Sequence, residues 1–331
     1  MIDLSIIVPI YNVEKYIHAA LDSIFKQGLD ESSFEVIIVN DGSKDRSMEM
    51  IADIINQHRN ITVVHQENQG LSVARNNGLS LAKGEYIMMP DSDDVLIDNS
   101  LKPLLAKALE TKVDIVLADF LSKTDEEIDA FCQRDFQQPQ LQVKEGTGEQ
   151  LFLEELNPYH CYVWRTLYRR DFIVSNQLSF YPGIRYQDVP FTHECYIRAK
   201  RYLKTNVVLN LYRIWPGSAT KAFKIDNSRN FITAIAQTWK LRAIEGISPR
   251  VLYKLEEDVY TSFRLIIYDT LSFYKKASER NYVMDYLNDT CPTLNFTHSF
   301  QQRLFTFLVK RMPHLFINLY YYYRQLRRKV H

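Results

Sequence analysis

An apolar run, Tyr86-Ile87-Met88-Met89, leads through Pro90 into Asp91-Ser92-Asp93-Asp94, and no other feature constrains this chain as strongly. Carboxylates crowded in this way repel one another unless a cation or hydrogen-bond donors share the site. The preceding run predicts a buried strand, and loops at the carboxyl ends of strands are where open α/β sheets bind ligands. Asp-x-Asp offers two hard oxygen donors and leaves coordination positions for phosphate, as Mg2+ or Mn2+ requires. The plainer reading is a solvated acidic turn that caps the next helix. What surrounds the stretch decides between the two.

Leu4-Ser5-Ile6-Ile7-Val8-Pro9-Ile10 is rich in β-branched residues without alternation, which predicts a strand covered on both faces. Asn12 is expected to cap a helix carrying Tyr16, Ile17, Ala20, Leu21 and Ile24. A second strand spans residues 34–39 and runs into the turn Asn40-Asp41-Gly42-Ser43, and a helix with Met48, Ile51, Ile54 and Ile55 follows. A third strand at 61–64 precedes Asn68-Gln69-Gly70 and a helix over 71–82, with Gly84 expected at its carboxyl cap. Strands alternating with helices predict a doubly wound, mostly parallel sheet. Residues 101–110 read as helix and 114–120 as strand; 122–150 read as loop with short elements. From about residue 231 the pattern turns helical.

At 331 residues the chain predicts roughly two domains of about 150 residues each. The boundary is expected near residue 222: a first domain over 1–222, divided into halves 1–95 and 96–222, then a helical region over 223–331. Four scattered cysteines contain no Cys-x-x-Cys pair, which fits a reducing cytosol and neither a disulfide framework nor a zinc site. His193-Glu194 lacks the second histidine of a zinc helix, and His160 reads as structural or acceptor-side. The amino terminus reads as lacking a signal peptide, and no run is long enough to span a bilayer as a helix.

Formal charge is zero but unevenly spread: residues 290–331 hold seven basic and no acidic side chains, leaving −7 on the rest. That argues against a nucleic-acid-binding body and for a tail with its own partner. Leu304, Leu308, Leu315, Leu319 and Leu326 recur near helical spacing, broken at Pro313, among Phe305, Phe307, Phe316 and four consecutive tyrosines. Such a basic aromatic amphipathic stretch suits an anionic bilayer surface, so 300–331 is expected to make peripheral membrane contact. A core-packed helix with a solvated basic end is the alternative.

If the sheet forms, Tyr11-Asn12, Asp41-Gly42-Ser43 and residues 91–94 all emerge at carboxyl ends of strands and converge on one crevice. An aromatic face and a carboxylate are what a nucleobase needs for stacking and for an imino N–H; a packing aromatic and a turn-stabilising acid are the alternatives. A dinucleotide fingerprint and a Walker A sequence are both absent, and Leu96 and Lys102 stand where an EF-hand needs Gly and Glu.

Together, Ser5-Ile6-Ile7-Val8-Pro9-Ile10-Tyr11-Asn12, Val39-Asn40-Asp41-Gly42-Ser43, the segment from Gln69 to Gly78 and Asp91-Ser92-Asp93-Asp94 resemble, in order, the motifs of family 2 glycosyltransferases. The resemblance implies an inverting enzyme with the A-type glycosyltransferase fold. Tyr11 and Asp41 would hold the base, with Pro9 and Glu14 shaping that pocket; Arg75, Asp91 and Ser92 would face ribose and sugar diphosphate. Asp93 would bind a divalent metal, Mn2+ or Mg2+. The family's late acidic pair corresponds to Gln187-Asp188, where only the second acid remains, so Asp188 is the expected base. Its alternative is a helix-capping role ahead of Val189-Pro190. Arg213 and Ser218 would approach the diphosphate; Trp215 is read as a sugar platform or as core.

The resemblance therefore implies transfer from a nucleoside diphosphate sugar, UDP-linked, to a glycan or lipid-linked glycan in bacterial surface-polysaccharide assembly. The setting is cytoplasmic, peripheral on the inner membrane face, with a homo-oligomer left open. A nucleotidyltransferase, or a partner subunit that binds nucleotide-sugar without catalysis, is the rival reading.

Overall fold

The computed structural model describes residues 2–134, 136–158, 161–214 and 225–328, the last without its side chain. Its elements run β1 (Leu4–Ile10), α1 (Ile17–Phe25), β2 (Phe34–Asn40), α2 (Ala52–Gln57), β3 (Ile61–His65), α3 (Leu71–Leu81), β4 (Tyr86–Met88), β5 (Val95–Leu96), α4 (Leu101–Thr111), β6 (Ile115–Lys123), α5 (Asp125–Cys132), β7 (Val143–Thr147), α6 (Gly148–Gln150), β8 (Thr166–Arg169), α7 (Arg170–Ser175), α8 (Asp188–Arg198) and β9 (Arg201–Arg213). Five helices follow: α9 (Ile225–Lys240), α10 (Pro249–Phe273), α11 (Ala277–Thr290), α12 (Phe300–Arg311) and α13 (Pro313–Arg328).

One sheet holds the described strands in the order β3-β2-β1-β4-β8-β6-β9-β5, with β7 also on β9. The first four are mutually parallel, as are β6 and β9; β8, β5 and β7 pair antiparallel. Every residue of β1 is buried, as expected of a strand covered on both faces. Leu4, Ile6, Val8 and Ile10 pack with α1 and α4 residues such as Leu21, Ile24 and Leu104. On the opposite face, Gly78 of α3 lies so close to Ile7 that a Cβ would fall 2.2 Å from its Cγ2. Pro9 sits in this central strand without a lost ladder bond. Ile10 turns its carbonyl to Asp41 N at 2.9 Å, so by alternation Pro9 faces the β4 side, where pairing has already ended at Met88.

Two cap assignments are corrected. Asn12 does not cap α1, whose amino cap is Tyr16; Asn12 stands at φ 51° and its Oδ1 accepts from Lys44 N at 2.9 Å. A short polar side chain tolerates that left-handed conformation by bonding locally, and here it ties two loops. Gly84 is not the cap of α3, which ends at Ala82. It lies against β1, donating to Ser5 Oγ at 2.8 Å, and a Cβ would meet Ser5 N at 2.4 Å. The stretch 122–150 holds more structure than expected, since Thr124 and Glu127 form a capping box that starts α5.

The chain divides into two compact units, one of Met1–Gly183 with Phe191–Ser218, the other of Ile184–Pro190 with Ala219–His331. Within the second, Ile232, Ile235, Trp239, Val259, Phe263 and Phe296 are buried. Arg280, also buried, donates to Asn318 Oδ1 at 2.7 Å and to the carbonyls of Tyr274 and Lys275, which fastens α13 onto α11. Among the described residues no helix is long and apolar enough to cross a membrane.

Candidate active site

Because β1, β2 and β4 are parallel neighbours, their following loops leave the same edge of the sheet. Ile10 stands opposite Asn40, so Tyr11 and Asp41 start adjacent loops. Asn12 N donates to Ser43 Oγ at 3.2 Å and Val13 N to Ser47 Oγ at 2.8 Å. Glu14 continues the seam: its N–H reaches Asp45 at 3.0 Å, and its carboxylate accepts from Arg46 N at 3.0 Å. Tyr11 is 47% exposed, the condition for stacking on a flat ligand.

Asp41 is buried and engaged through both carboxylate oxygens. Its Oδ1 accepts from Gln66 Nε2 (2.7 Å) and Gln69 N (2.8 Å), and its Oδ2 from Gly70 N (2.9 Å). A carboxylate offers about four lone-pair sites, so one acceptor position is left beyond these three bonds. Gly70 has φ 87°, a conformation that suits glycine and lets its N–H meet Asp41 just before α3 begins.

The first turns of α3 then distribute polar contacts. Arg75 Nη2 donates to Asp91 Oδ1 at 2.6 Å, and its guanidinium carbon lies 5.3 Å from the Phe180 ring centroid. Asn76 exchanges two hydrogen bonds with the Phe180 main chain, each 2.8 Å. Asn77 donates to Gln66 Oε1 at 2.6 Å, completing a relay from Asn77 through Gln66 to Asp41.

In the acidic loop, burial pushes the Asp91 carboxyl up to about 6; Arg75 pulls the other way and Asp93 adds to the rise. Asp94 is raised well above its ordinary range by burial, and further by Asp91 and Asp93. Its Oδ1 accepts from Arg213 N at 2.8 Å, while its buried Oδ2 has no hydrogen-bond partner. Ser92 is buried between Asp91 and Asp93. Arg213, at the end of β9, lies beneath this loop: Nε donates to the Asp93 carbonyl at 2.7 Å and Nη1 to Asp125 at 2.6 Å. Lys15 also pairs with Asp125, and the two cations hold its carboxyl below the usual range.

Asp188 opens α8 in the segment 184–190 of the second unit. There Arg185 N donates to Asn230 Oδ1 at 3.2 Å and the Tyr186 ring lies 5.1 Å from Phe231; the neighbouring Gln187 is buried, its Oε1 without a hydrogen-bond partner. Ser218, Trp215 and His160 lie outside the described residues. Sequence reasoning missed Asp125 and Gln66, and it placed Asn76 and Asn77 in the third motif without a role. The first carried a signal, the Thr124-x-x-Glu127 cap beside it; the others act through contacts that only the folded loops create.

Among the described residues no three His, Cys, Asp or Glu side chains stand close enough together to enclose a metal ion. The loop nevertheless fits a hard cation held by one or two carboxylates and completed by phosphate oxygens. Asp93 adds to the rise at both Asp91 and Asp94, and the Asp94 Oδ2 is buried without a donor.

The family model described as glycosyl transferase family 2 matches residues 5–174. The uncharacterized glycosyltransferase EpsJ of Bacillus subtilis is 36% identical over 66% of this chain, the match spanning 62% of EpsJ. Among solved structures, TarS 1–349 of Staphylococcus aureus in complex with UDP-GlcNAc shares the fold. Its TM-score is 0.72 at 21% identity, covering 98% of this chain and 92% of that one. The mannosyltransferase PcManGT of Pyrobaculum calidifontis, in complex with GDP-Man and Mn2+, shares it more distantly, with TM-score 0.54, 15% identity and coverage of 88% and 86%. With its matched model spanning just over half its residues, on a mixed sheet whose strand ends carry the interlocked motifs, the chain belongs to glycosyl transferase family 2.

Proposed function

We propose that this protein is a metal-dependent inverting glycosyltransferase that moves a sugar from a UDP-sugar to a glycan or lipid-linked glycan, in bacterial surface-polysaccharide assembly at the inner membrane face. The carrying observation is the interlock of four sequence-distant segments at one sheet edge: Asn12 with Ser43, Asp41 with Gly70, and Arg75 with Asp91. The UDP-GlcNAc held by TarS and the Mn2+ held by PcManGT support donor class and metal.

Tyr11 stacks on the base, Pro9 and Glu14 shape the pocket rim, and Asp41 accepts the imino N–H with its remaining acceptor position. Arg75 acts through Asp91, holding that carboxylate for ribose and sugar, with Ser92 beside it. Arg213 holds the acidic loop from below and adds positive charge toward the diphosphate, and Ser218 would approach the same group as a neutral hydroxyl donor. Asp93 would hold the divalent cation, which when bound supplies charge neutralisation at the departing diphosphate.

Asp188 takes the proton from the acceptor hydroxyl. The acceptor oxygen bonds to the anomeric carbon from the face opposite the donor linkage. The carbon–oxygen bond to the diphosphate breaks, and UDP leaves with its electron pair, so configuration inverts. Gln187 favours one rival, a partner subunit that binds donor without catalysis, because it removes a charge that would raise the base's proton affinity.

A donor screen that follows UDP release with and without Mn2+ tests the reading. Asp93→Ala and Asp188→Asn are each expected to abolish transfer, with Asp188→Asn keeping UDP binding. UDP binding without release in the wild type, whatever acceptor is supplied, establishes the rival. Loss of UDP binding in Asp188→Asn contradicts its role as base.

A further inference from the structure

Helix α12 buries Gln302 and Thr306 beside Val309, and α12 and α13 both expose large apolar side chains. In α12 the inward positions are Gln302, Thr306 and Val309, whereas Phe300, Leu304, Phe307 and Arg311 face outward at the i, i+4, i+7, i+11 spacing of one helix face. Phe300 is 72% exposed. The same spacing recurs in α13 with Leu315, Leu319, Tyr322 and Leu326, all exposed, Leu326 at 66%. Exposed apolar stripes of this extent mark an interaction surface.

The stripes are held in fixed orientation. On the inner side of α13, Ile317 is buried, Arg280 bonds Asn318 and its guanidinium carbon lies 3.8 Å from the Tyr321 ring centroid. Phe305 of α12 meets Phe316 of α13 edge-on at 5.5 Å. His314 pairs at the surface with Asp285 of α11 at 2.7 Å, and the buried Gln302 with Glu257 of α10 at 2.6 Å, so each of these two neighbouring acids has a partner.

Charge selects the occupant. Arg303, Arg311 and Arg327 are exposed on these helices, Arg324 is half-buried, and no acidic residue occurs after Asp289. A second copy meeting this face by two-fold symmetry would set positive charge against positive charge. An anionic surface is attracted by the same charge while taking up the leucines and phenylalanines, and tyrosines favour the zone between headgroup and acyl chain.

We infer that the outward face of α12 and α13 docks the protein onto an anionic phospholipid bilayer, lying on it without crossing. The inference rests on this face alone and stands whether or not the sugar-transfer reading holds.

Flotation of the full-length protein with vesicles tests it, using phosphatidylglycerol and phosphatidylcholine at about 1:3, against phosphatidylcholine alone. Binding to the anionic vesicles only is expected, weakening as salt rises from about 0.05 to 0.5 M. Leu304→Glu with Phe307→Glu, and separately Leu319→Glu with Leu326→Glu, should each weaken binding about tenfold or more. Arg303→Gln with Arg311→Gln and Arg327→Gln should weaken it by a similar factor. Unchanged thermal unfolding and UDP titration establish that the variants are folded, and separate this result from the fate of the donor site. The inference is overturned by folded variants that float like wild type, by no flotation of wild type, or by binding indifferent to lipid charge. It is equally overturned if these substitutions dissociate a dimer of a protein that does not float.

Discussion

Arg75 reaches from α3 into the acidic loop and donates to Asp91 at 2.6 Å, although its own side chain is only 2% exposed. A guanidinium that deep needs an acceptor, and a carboxylate beside Asp93 and Asp94 needs a cation. Each therefore makes the other's burial tolerable, and the pair welds the third motif to the fourth.

Removing one partner should show this coupling. Arg75→Ala leaves Asp91 unpaired and should cost about 3–5 kcal/mol of stability by denaturant unfolding. Arg75→Lys should recover only part, because an ammonium cannot reproduce the guanidinium's flat fork or its contact with Phe180. Both variants should lose UDP affinity in calorimetry; wild-type stability in Arg75→Ala would mean the pair is incidental.

Tyr11 presents the opposite case. With nearly half of its surface exposed, Tyr11→Ala should change stability by no more than about 0.5 kcal/mol. If its ring stacks on a base, UDP binding should weaken by about 1–3 kcal/mol, and Tyr11→Phe should restore most of it. Equal losses in Ala and Phe variants would point to the hydroxyl instead.

Gly78 is expected to behave against helix propensity. Alanine in a helix interior is ordinarily better than glycine by about 1 kcal/mol, yet here its Cβ would fall 2.2 Å from Ile7 Cγ2. Gly78→Ala should therefore destabilise by about 1–3 kcal/mol, measured by urea unfolding, as α3 is pushed away from β1.

Asp269, in α10, offers a pH test of the helical unit, measured through stability and not through activity. Burial pushes its carboxyl from 3.8 up to about 6. The folded chain thus holds this proton more tightly than the unfolded chain does. The resulting stabilisation is full below about pH 4 and is lost as pH rises through about 6. Asp269→Asn should remove that part of the pH dependence, gaining on wild type as pH rises from 5 to 8 in about half-unit steps of thermal unfolding. An unchanged profile would place the proton elsewhere.

Much of this was legible in order of residues alone. A β-branched run without alternation, as in β1, can only satisfy its side chains between two layers, so the parallel half of the sheet followed from composition and spacing. The acidic loop was equally plain, since three carboxylates in four positions demand compensation wherever they lie. The sequence also marked the tail, because charge and leucine spacing are linear properties.

Tertiary structure decided what supplies the compensation. Arg75, far upstream, takes Asp91, and Arg213, far downstream, takes Asp94 through its main chain and Asp125 through its side chain. Asn12 and Gly84 fit local cap rules, yet each was claimed by a distant loop or strand. Local propensities are worth at most about 1–2 kcal/mol, and a buried polar group left without its partner costs as much or more. Spacing therefore fixed which groups must be satisfied, and only the packed chain could choose their partners.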